Sequence, residues 1–392
     1  MALPNVDLLV VGGGILGAMH AYHALQRGLT VRLLEKDLHP QGATARNFGQ
    51  VVPSGMAPDR WQGFGRDSLD TYKQIHAQAG LPLREEGSLY IASDEEEAAL
   101  LDEAADHFAR QDYPCERLTA TACQTRLAGL RAEYVHSGLL FPEEVTVEPA
   151  ALIREILAYL VEQHNLDYRS STPILGLDAV SNGIVGVDAF GQTHRAAQAI
   201  VCTGSDFKLL FPERFAASDI EVTKLHMLET APQPSSYRMP GNVLTGLTIR
   251  RYESFAALPS YAALNKDHLN PRLLDLGIHI LFKQTPDGRI VTGDSHEYQP
   301  ASHLDALGFD VDYAINRLIL DEAQRILDLP DWTIGRAWWG IYSQSKSRDI
   351  YQESLDDRIH IVTAIGGKGM TGSGGFARQH IASCFNLTPA SL

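Results

Sequence analysis

The chain has 392 residues and a net charge of −15, from 33 Lys and Arg against 48 Asp and Glu. This length predicts two joined domains rather than one core. The negative charge argues against a nucleic-acid partner, because phosphate backbones require a basic surface, but a few local cations can still hold a small anionic substrate.

Targeting and metal-binding patterns are missing from the sequence. No apolar run approaches the roughly 20 residues of a membrane span. Residues 1–7 lack the basic and apolar regions of a signal peptide, so we expect a cytoplasmic protein. Without a CxxC motif or a metal-ligand pairing with His, the cysteines predict reduced thiols and no metal site. They are Cys115, Cys123, Cys202 and Cys384.

The first 34 residues predict a strand, a helix and a second strand. The apolar run Val6–Val11 is typical of a buried parallel strand, and Thr30–Leu34 is another. Between them Ile15–Gln26 has helical spacing, and Gly28 ends the helix. This order is the β-α-β opening of a doubly wound sheet.

A glycine fingerprint joins this first strand to the helix. Gly12 permits a tight turn, Gly14 lets the backbone approach a pyrophosphate, and Gly17 lets the helix pack on the sheet. Glu35 ends the second strand, where an acid binds ribose hydroxyls and argues against a 2′-phosphate. The segment therefore predicts dinucleotide binding at a helix N-terminus. Its candidate contacts are Gly12, Gly14, Ile15, Leu16, Gly17, Glu35 and Lys36.

The remaining chain alternates between two kinds of pattern. Predicted strands are Ser88–Ala92, Ile174–Val180, Ile184–Ala189, Ala197–Cys202, several within residues 220–298, and Ile359–Ala364. Predicted helices begin with a capping box at residues 93–96 and with Glu148-Pro149, and cover Val311–Leu327 and Gly375–Cys384. We therefore predict an α/β (α+β) fold in which a Rossmann-type domain (residues 1–82, 147–212 and 331–392) is interleaved with a substrate domain (83–146 and 213–330) on a mostly antiparallel sheet with helices.

Two further segments favour a longer dinucleotide than NAD. Residues 42–50 offer hydroxyl, amide and glycine backbone groups, and the candidates there are Thr44, Ala45, Arg46, Asn47, Phe48 and Gly49. The glycine loop 366–374 predicts a second helix N-terminus. If the dinucleotide is FAD, this N-terminus would face the side of the flavin ring where negative charge develops on reduction. An NAD-dependent dehydrogenase has no use for that loop and remains an alternative.

Together with this opening, three segments resemble the glycine oxidase/D-amino-acid oxidase-like (DAO) family of FAD enzymes: Thr172-Pro173-Ile174, Cys202-Thr203-Gly204, and Gly366 to Thr371. The resemblance covers nearly the whole chain and implies FAD, with adenine at Ile174. The further cofactor contacts that it implies are Thr203, Gly204, Gly340, Gly367, Lys368, Gly369, Met370 and Thr371. Residues 42–50 and 340–348 contain no His or Cys that could tether the flavin, so we expect non-covalent FAD.

A narrower resemblance concerns the substrate. Residues 46–49, 224–228, 293–298 and 339–342 are similar to a subgroup associated with phosphonate catabolism, whose members are proposed to oxidise aminophosphonates related to 2-aminoethylphosphonate. Many relatives that oxidise amino acids carry Gly-x-Arg-Pro before the final strand, and here Gly340-Ile341-Tyr342-Ser343 replaces it. Losing that Arg argues against a plain α-amino acid.

Candidate substrate contacts are therefore the cations and polar side chains near the predicted cofactor segments. They are Arg46, Arg250, Arg251, Tyr252, His279, Tyr342, Lys346 and Arg348. We interpret His279, His296 and Asp294 mainly as hydrogen-bonded structural residues. If Arg250 and Arg251 share a strand, only one of them can face the site.

The sequence thus predicts FAD-dependent oxidation of a small anionic amine to an aldehyde, with oxygen or another electron acceptor as oxidant. The flavin carries the chemistry, so no catalytic side chain is assigned. A glycine, sarcosine or D-amino-acid oxidase or dehydrogenase is the main alternative, and a non-catalytic FAD-binding protein is the second.

Overall fold

The computed structural model describes residues 5–387 of the chain. Its strands are β1 (Val6–Val11), β2 (Val31–Leu34), β3 (Gln50–Val51), β4 (Leu83–Arg84), β5 (Ser88–Ala92), β6 (Glu116–Thr119), β7 (Ser137–Phe141), β8 (Val145–Val147), β9 (Asp167–Arg169), β10 (Ile174–Val180), β11 (Gly183–Asp188), β12 (Thr193–Val201), β13 (Ile220–Thr230), β14 (Asn242–Leu244), β15 (Leu281–Gln284), β16 (Ile290–Gly293), β17 (Glu297–Pro300), β18 (Ile334–Ser345), β19 (Tyr351–Leu355) and β20 (Ile359–Thr363).

Its α-helices are α1 (Ile15–Leu25), α2 (Ala43–Arg46), α3 (Arg60–Ala79), α4 (Glu95–Ala109), α5 (Ala120–Arg126), α6 (Pro149–His164), α7 (Pro212–Ala216), α8 (Gly246–Ile249), α9 (Glu253–Ala256), α10 (Pro271–Asp275), α11 (Tyr313–Ile326) and α12 (Gly369–Cys384). Short 3₁₀ turns cover Pro53–Gly55, Pro259–Ala263, Ala301–Leu307 and Gly366–Lys368. Within residues 5–387, no helix combines the length and the apolar character that crossing a bilayer requires.

The first sheet has the strand order β10-β11-β12-β1-β2-β9, and β20 and then β19 continue it beside β12. Strand β1 runs parallel to β2 and β12, and β12 runs parallel to β20. Their carboxyl ends therefore share one edge, where parallel α/β sheets bind their ligands. The antiparallel strands β10 and β11 form the predicted meander.

The second sheet is mostly antiparallel and has the order β17-β13-β16-β15-β14-β5-β7-β6, with β18 also paired to β13. Only β14 and β5 pair in parallel among its described strands. A third, small sheet consists of β3, β8 and β4. These sheets confirm the predicted fold class. Strand β18 pairs with β13 from Ile334 to Ser345, so this strand lies in the second sheet although the predicted boundary at residue 331 gives it to the first domain.

Helix α12 begins earlier than the glycine pattern suggests. We predict a loop over residues 366–374, but the helix already begins at Gly369. Its buried glycines serve helix packing: a Cβ at Gly375 would lie 2.5 Å from the Cα and the carbonyl oxygen of Phe64 in α3. Helix α3, which the sequence analysis does not predict, therefore packs closely against α12 and holds its N-terminus at the ligand edge of the first sheet.

This packing predicts opposite effects for two Gly→Ala substitutions. Gly375→Ala should lower the free energy of unfolding by about 1–3 kcal/mol, because its methyl group meets fixed backbone of α3. Gly63→Ala is the control: Gly63 is exposed in α3 with nothing near its Cβ position. It should stabilise the protein by up to about 1 kcal/mol through helix propensity. Urea unfolding of both variants measures the difference, and equal midpoints would contradict the packing.

Candidate active site

A cavity of about 1280 Å³ extends from the carboxyl edge of the first sheet to the second sheet. Typical small-molecule cavities measure about 300–1,000 Å³. The additional volume would accommodate a dinucleotide together with a small substrate. Side chains from both large sheets line this cavity, which is hereafter called the cleft.

The glycine fingerprint lies at one end of the cleft. Gly12 has a φ of +105°, and a Cβ there would lie 2.3 Å from the carbonyl oxygen of Cys202 on the neighbouring β12 turn. A Cβ at Gly17 would lie 2.0 Å from the Gly12 carbonyl oxygen. No other residue type fits at these two positions, and the contacts bring the α1 N-terminus against the edge of the sheet. There the Ile15 N–H donates to the Thr44 hydroxyl at 3.0 Å.

Glu35 links the fingerprint to the second strand. Its carboxylate accepts the backbone N–H of Gly13 at 2.7 Å and that of Asp37 at 3.0 Å. Burial raises the pKa of Glu35. Because a carboxylate has about four acceptor positions, these two bonds leave capacity for ribose hydroxyls. Neighbouring Lys36 also lines the cleft, where its ammonium pairs with Asp206 at 2.6 Å.

The predicted adenine segment lies beside this pair. Ile174 lines the cleft, and the Thr172 N–H donates to the Glu35 carbonyl at 2.8 Å. Thr203 and Gly204 line the cleft after β12. Hydroxyl donors fix this turn, because the Gly204 carbonyl accepts from Thr363 at 2.6 Å.

The segment 42–50 is held by its own side chains. Asn47 donates to the Thr44 carbonyl at 2.7 Å and accepts the Gly49 N–H at 2.6 Å. The Arg46 guanidinium lies over the Trp339 ring, 5.2 Å from its centroid, which joins the segment to β18. Thr44, Arg46, Asn47 and Phe48 line the cleft, whereas Ala45 and Gly49 are absent from its lining.

The second glycine segment, residues 366–371, forms another part of the cleft lining. The N-terminus of α12 therefore faces the cleft with its positive partial charge. Lys368 does not project freely, because its ammonium lies 3.0 Å from Glu253 and 3.5 Å from Asp349. The Thr371 hydroxyl accepts the Val52 N–H at 3.2 Å. Gly340 of β18 also lines the cleft.

At the far end, the second sheet presents polar side chains. Tyr298 of β17 and Tyr342 of β18 both pair in register with Thr223 of β13, so the two tyrosines occupy one row and share a face of the sheet. The Arg251 guanidinium donates to the Tyr298 hydroxyl at 2.9 Å. Arg251, Tyr252, Tyr298 and Tyr342 line the cleft. Burial raises the pKa of Tyr342, so its hydroxyl keeps a proton to donate.

A buried His–Asp–His cluster adjoins this row. The Asp294 carboxylate lies 3.0 Å from His279 Nε2 and 3.9 Å from His296 Nδ1, and all three residues line the cleft. Burial alone would raise the pKa of Asp294, but His279, His296 and Arg251 hold it below its ordinary value. From the sequence we interpret Asp294 and His296 as structural residues, and Tyr298 is not among the predicted contacts. Asp294, His296 and Tyr298 all lie in residues 293–298, a segment that resembles the phosphonate subgroup, and this resemblance is the sequence signal that could have identified them.

The structure separates the remaining candidate cations. Arg250 is only 6% exposed and pairs with Glu97 at 2.5 Å and Asp94 at 2.6 Å, so it does not line the cleft. Arg250 follows the short helix α8 rather than lying in a strand, and its side chain binds the acidic start of α4. Lys346 pairs with Glu221 at 3.3 Å, and the Arg348 guanidinium lies 6.0 Å from the Tyr351 ring centroid. Both are exposed at the cleft beyond β18.

With the fingerprint, Glu35 and the α12 N-terminus along one cleft, the residues fit an extended dinucleotide. Residues 7–382 match the family model DAO, described as FAD dependent oxidoreductase. The chain belongs to this family. Membership confirms the predicted FAD cofactor and the predicted class of oxidoreductase, and it rejects the NAD-dependent dehydrogenase.

Solved structures share the fold at low sequence identity. Glycine oxidase from Geobacillus kaustophilus has a TM-score of 0.77 at 15% identity, over 99% of this chain and 96% of that chain. L-proline dehydrogenase from P. horikoshii has a TM-score of 0.77 at 17% identity, over 97% and 93%. The FAD-bound L-alpha-glycerophosphate oxidase from Mycoplasma pneumoniae has a TM-score of 0.77 at 15% identity, over 100% and 97%. No curated protein sequence matches the chain.

Glu35 provides a direct test of the cofactor end. Glu35→Ala removes the carboxylate that orders Gly13 and would accept ribose hydroxyls. It should weaken FAD binding by about 1.5–3 kcal/mol, the range for hydrogen bonds to a charged group. Glu35→Gln keeps one acceptor oxygen and should lose less. Fluorescence titration of each apoprotein with FAD gives the dissociation constants, and an unchanged value for Glu35→Ala would contradict this role.

We also expect acid precipitation to release the FAD. Residues 42–50 and 340–348 contain neither His nor Cys as a tethering nucleophile. Cys202 lines the cleft, but burial raises the pKa of its thiol and disfavours the reactive thiolate. Absorbance of the supernatant and the pellet measures the outcome. Yellow colour that stays with the denatured pellet would contradict a non-covalent cofactor.

Proposed function

We propose that this enzyme oxidises a small amine that carries a phosphonate group, related to 2-aminoethylphosphonate and including its N-methyl derivative. The product would be the corresponding aldehyde. One observation carries the proposal: Arg251, Tyr298 and Tyr342 together offer a cation and hydroxyl groups at the end of the cleft away from the fingerprint. Family membership supplies the redox chemistry, and the proposal concerns the substrate.

The charge of a phosphonate suits this end of the cleft. The group carries up to two negative charges and three acceptor oxygens, so it needs several donors when it leaves water. Arg251 uses one of its five N–H groups on Tyr298 and has others for an anion. Since Tyr298 accepts that bond, its own hydroxyl proton is available as well. Tyr342, in the same row, adds a second hydroxyl.

The amine end of such a substrate has a partner of opposite charge. Asp294 is buried and ionised next to His279, and it lines the same part of the cleft as Arg251. A carboxylate there attracts the ammonium form of an amine. A cation for the anionic head and a carboxylate for the amine favour a short zwitterion over a neutral amine.

Bound FAD supplies the hydride acceptor for the carbon next to the nitrogen. The chain's own residues orient the substrate, since Arg251 and the two tyrosines hold its head while Asp294 holds its nitrogen. The amine must lose its proton before oxidation, so activity should rise on the alkaline side. Water then hydrolyses the substrate imine to the aldehyde and ammonia or methylamine.

An α-amino acid such as glycine, sarcosine or D-alanine is the second candidate. Structural similarity to a glycine oxidase favours it at the level of the fold. Arg251 can also bind a carboxylate, although a carboxylate has fewer oxygens than a phosphonate. Substrate comparison separates the two candidates.

We expect kcat/KM for 2-aminoethylphosphonate or its N-methyl derivative to exceed that for glycine, sarcosine and D-alanine by at least about tenfold, since each additional charge-assisted contact contributes about 1.5–3 kcal/mol. Arg251→Gln should lower kcat/KM for the phosphonates by a factor that corresponds to the same loss of about 1.5–3 kcal/mol. Lys346→Gln is the matched control, because its ammonium is paired with Glu221 on the exposed rim. Assays with oxygen and with an artificial acceptor identify the oxidant.

Faster turnover of sarcosine or D-alanine than of either phosphonate would assign the enzyme to the amino-acid oxidases. An Arg251→Gln variant with unchanged kcat/KM would remove Arg251 from the substrate site. Anaerobic incubation that bleaches no flavin with any of these amines would instead favour a non-catalytic FAD-binding protein.

A further inference from the structure

A second group of reactive side chains lies at the far end of α12 from the cleft. His380 and Cys384 are four residues apart on this helix and therefore share one face. His360 of β20 lies against them, and His20 of α1 contacts His380. None of the four lines the cleft, and the proposed reaction does not use them.

The donor atoms of this group lie close together, and one of their distances matches that of a metal centre. One donor atom each from His360, His380 and Cys384 lies within 4.8 Å of the other two. The His380 Nε2 to Cys384 Sγ distance is 3.5 Å. A tetrahedral zinc ion with Zn–N of about 2.05 Å and Zn–S of about 2.3 Å separates such a nitrogen and sulfur by about 3.6 Å.

Hydrogen bonds around His380 set its tautomer. His20 Nδ1 lies 2.7 Å from the Leu16 carbonyl, which can only accept, so this nitrogen carries the proton. His20 Nε2 is then an acceptor, and His380 Nδ1, 2.9 Å away, must be its donor. His380 Nε2 therefore presents its lone pair to Cys384. A metal-ligating histidine usually donates its other ring N–H to an outer partner, as His380 does to His20.

His360 can adopt the matching state. Its Nδ1 lies 2.9 Å from the Ser354 hydroxyl, which can accept a proton from this ring as well as donate one. The Nε2 atom lies 3.3 Å from the Gln198 side-chain oxygen, which can only accept, so Nε2 carries the proton in the metal-free protein. Zinc binding at Nε2 would move this proton to Nδ1, where the Ser354 hydroxyl accepts it, and would replace the Gln198 contact.

We propose that His360, His380 and Cys384 form a zinc site. Binding exchanges the thiol proton of Cys384 for the metal, so one proton is released per zinc ion and no oxidation occurs. Water completes the four ligands, because His380 and Cys384 are only partly buried and leave access for solvent. The ion would join the end of α12 to β20. This site is independent of the proposed substrate.

Equilibrium dialysis of untagged, FAD-loaded enzyme against Zn²⁺, with metal analysis, tests the proposal. We expect one zinc ion per chain. Loss of an outer hydrogen-bond partner of a metal ligand weakens metal binding by about 10–100-fold, and we expect a loss in this range for His20→Phe. Cys384→Ser and His380→Gln each remove a ligand, so their loss of zinc affinity should be larger. Cys115→Ser and His303→Gln are controls, since both residues lie outside the group, and they should bind zinc as the parent does. Flavin content and circular dichroism verify that each variant folds.

Cobalt substitution supplies a second measurement that needs no variant. A thiolate ligand gives Co²⁺ an intense near-ultraviolet charge-transfer absorption, which we expect in the parent protein and not in Cys384→Ser. Parent protein that binds less than one zinc ion per chain, or that shows no such absorption with Co²⁺, would overturn the proposal. Equal zinc affinity of the parent and Cys384→Ser would overturn it as well.

Discussion

The parallel pairing of β1 with β2 and β12, and of β12 with β20, is the constraint on which the site depends. Parallel strands end at one edge, so the segments that follow them must meet there. Residues 12–17 follow β1, Glu35 follows β2, and Thr203-Gly204 follow β12. The α12 N-terminus follows β20 at the same edge. Segments more than 300 residues apart in the chain therefore surround one cleft.

Close backbone contacts maintain this arrangement. The contact of Gly12 with Cys202 joins the ends of β1 and β12, and the contact of Gly375 with Phe64 holds α12 on α3. Both contacts exclude a Cβ, so they depend on glycine and leave little freedom for the elements to shift. The resulting rigid wall fits a cofactor that must present one reactive atom to the substrate.

Electrostatics differ between the whole chain and the site. The protein has a net charge of −15, yet Arg251 at the cleft has Tyr298 as its hydrogen-bond partner among the described side chains rather than a carboxylate. Arg250, next to it in sequence, is paired with three carboxylates, those of Asp94, Glu96 and Glu97. Local pairing, and not net charge, therefore decides which cation is available to an anionic ligand.

The sequence alone was sufficient for the β-α-β opening of the first sheet, because its signals are local. A buried strand, a glycine fingerprint and an acid at the end of the next strand need only about 30 neighbouring residues to specify a β-α-β unit. Glycine was ambiguous. Gly372 and Gly374 belong to the predicted loop 366–374, but they instead pack α12 against α3, a partner about 300 residues earlier in the chain. The adjacent residues Arg250 and Arg251 do not show in the sequence which side chain faces the cleft. In the structure Arg250 follows the short helix α8 and binds α4, whereas Arg251 lines the cleft. The pairing of Cys384 with His360 likewise required the tertiary structure, since side chains on a helix and a strand meet only when the two elements pack.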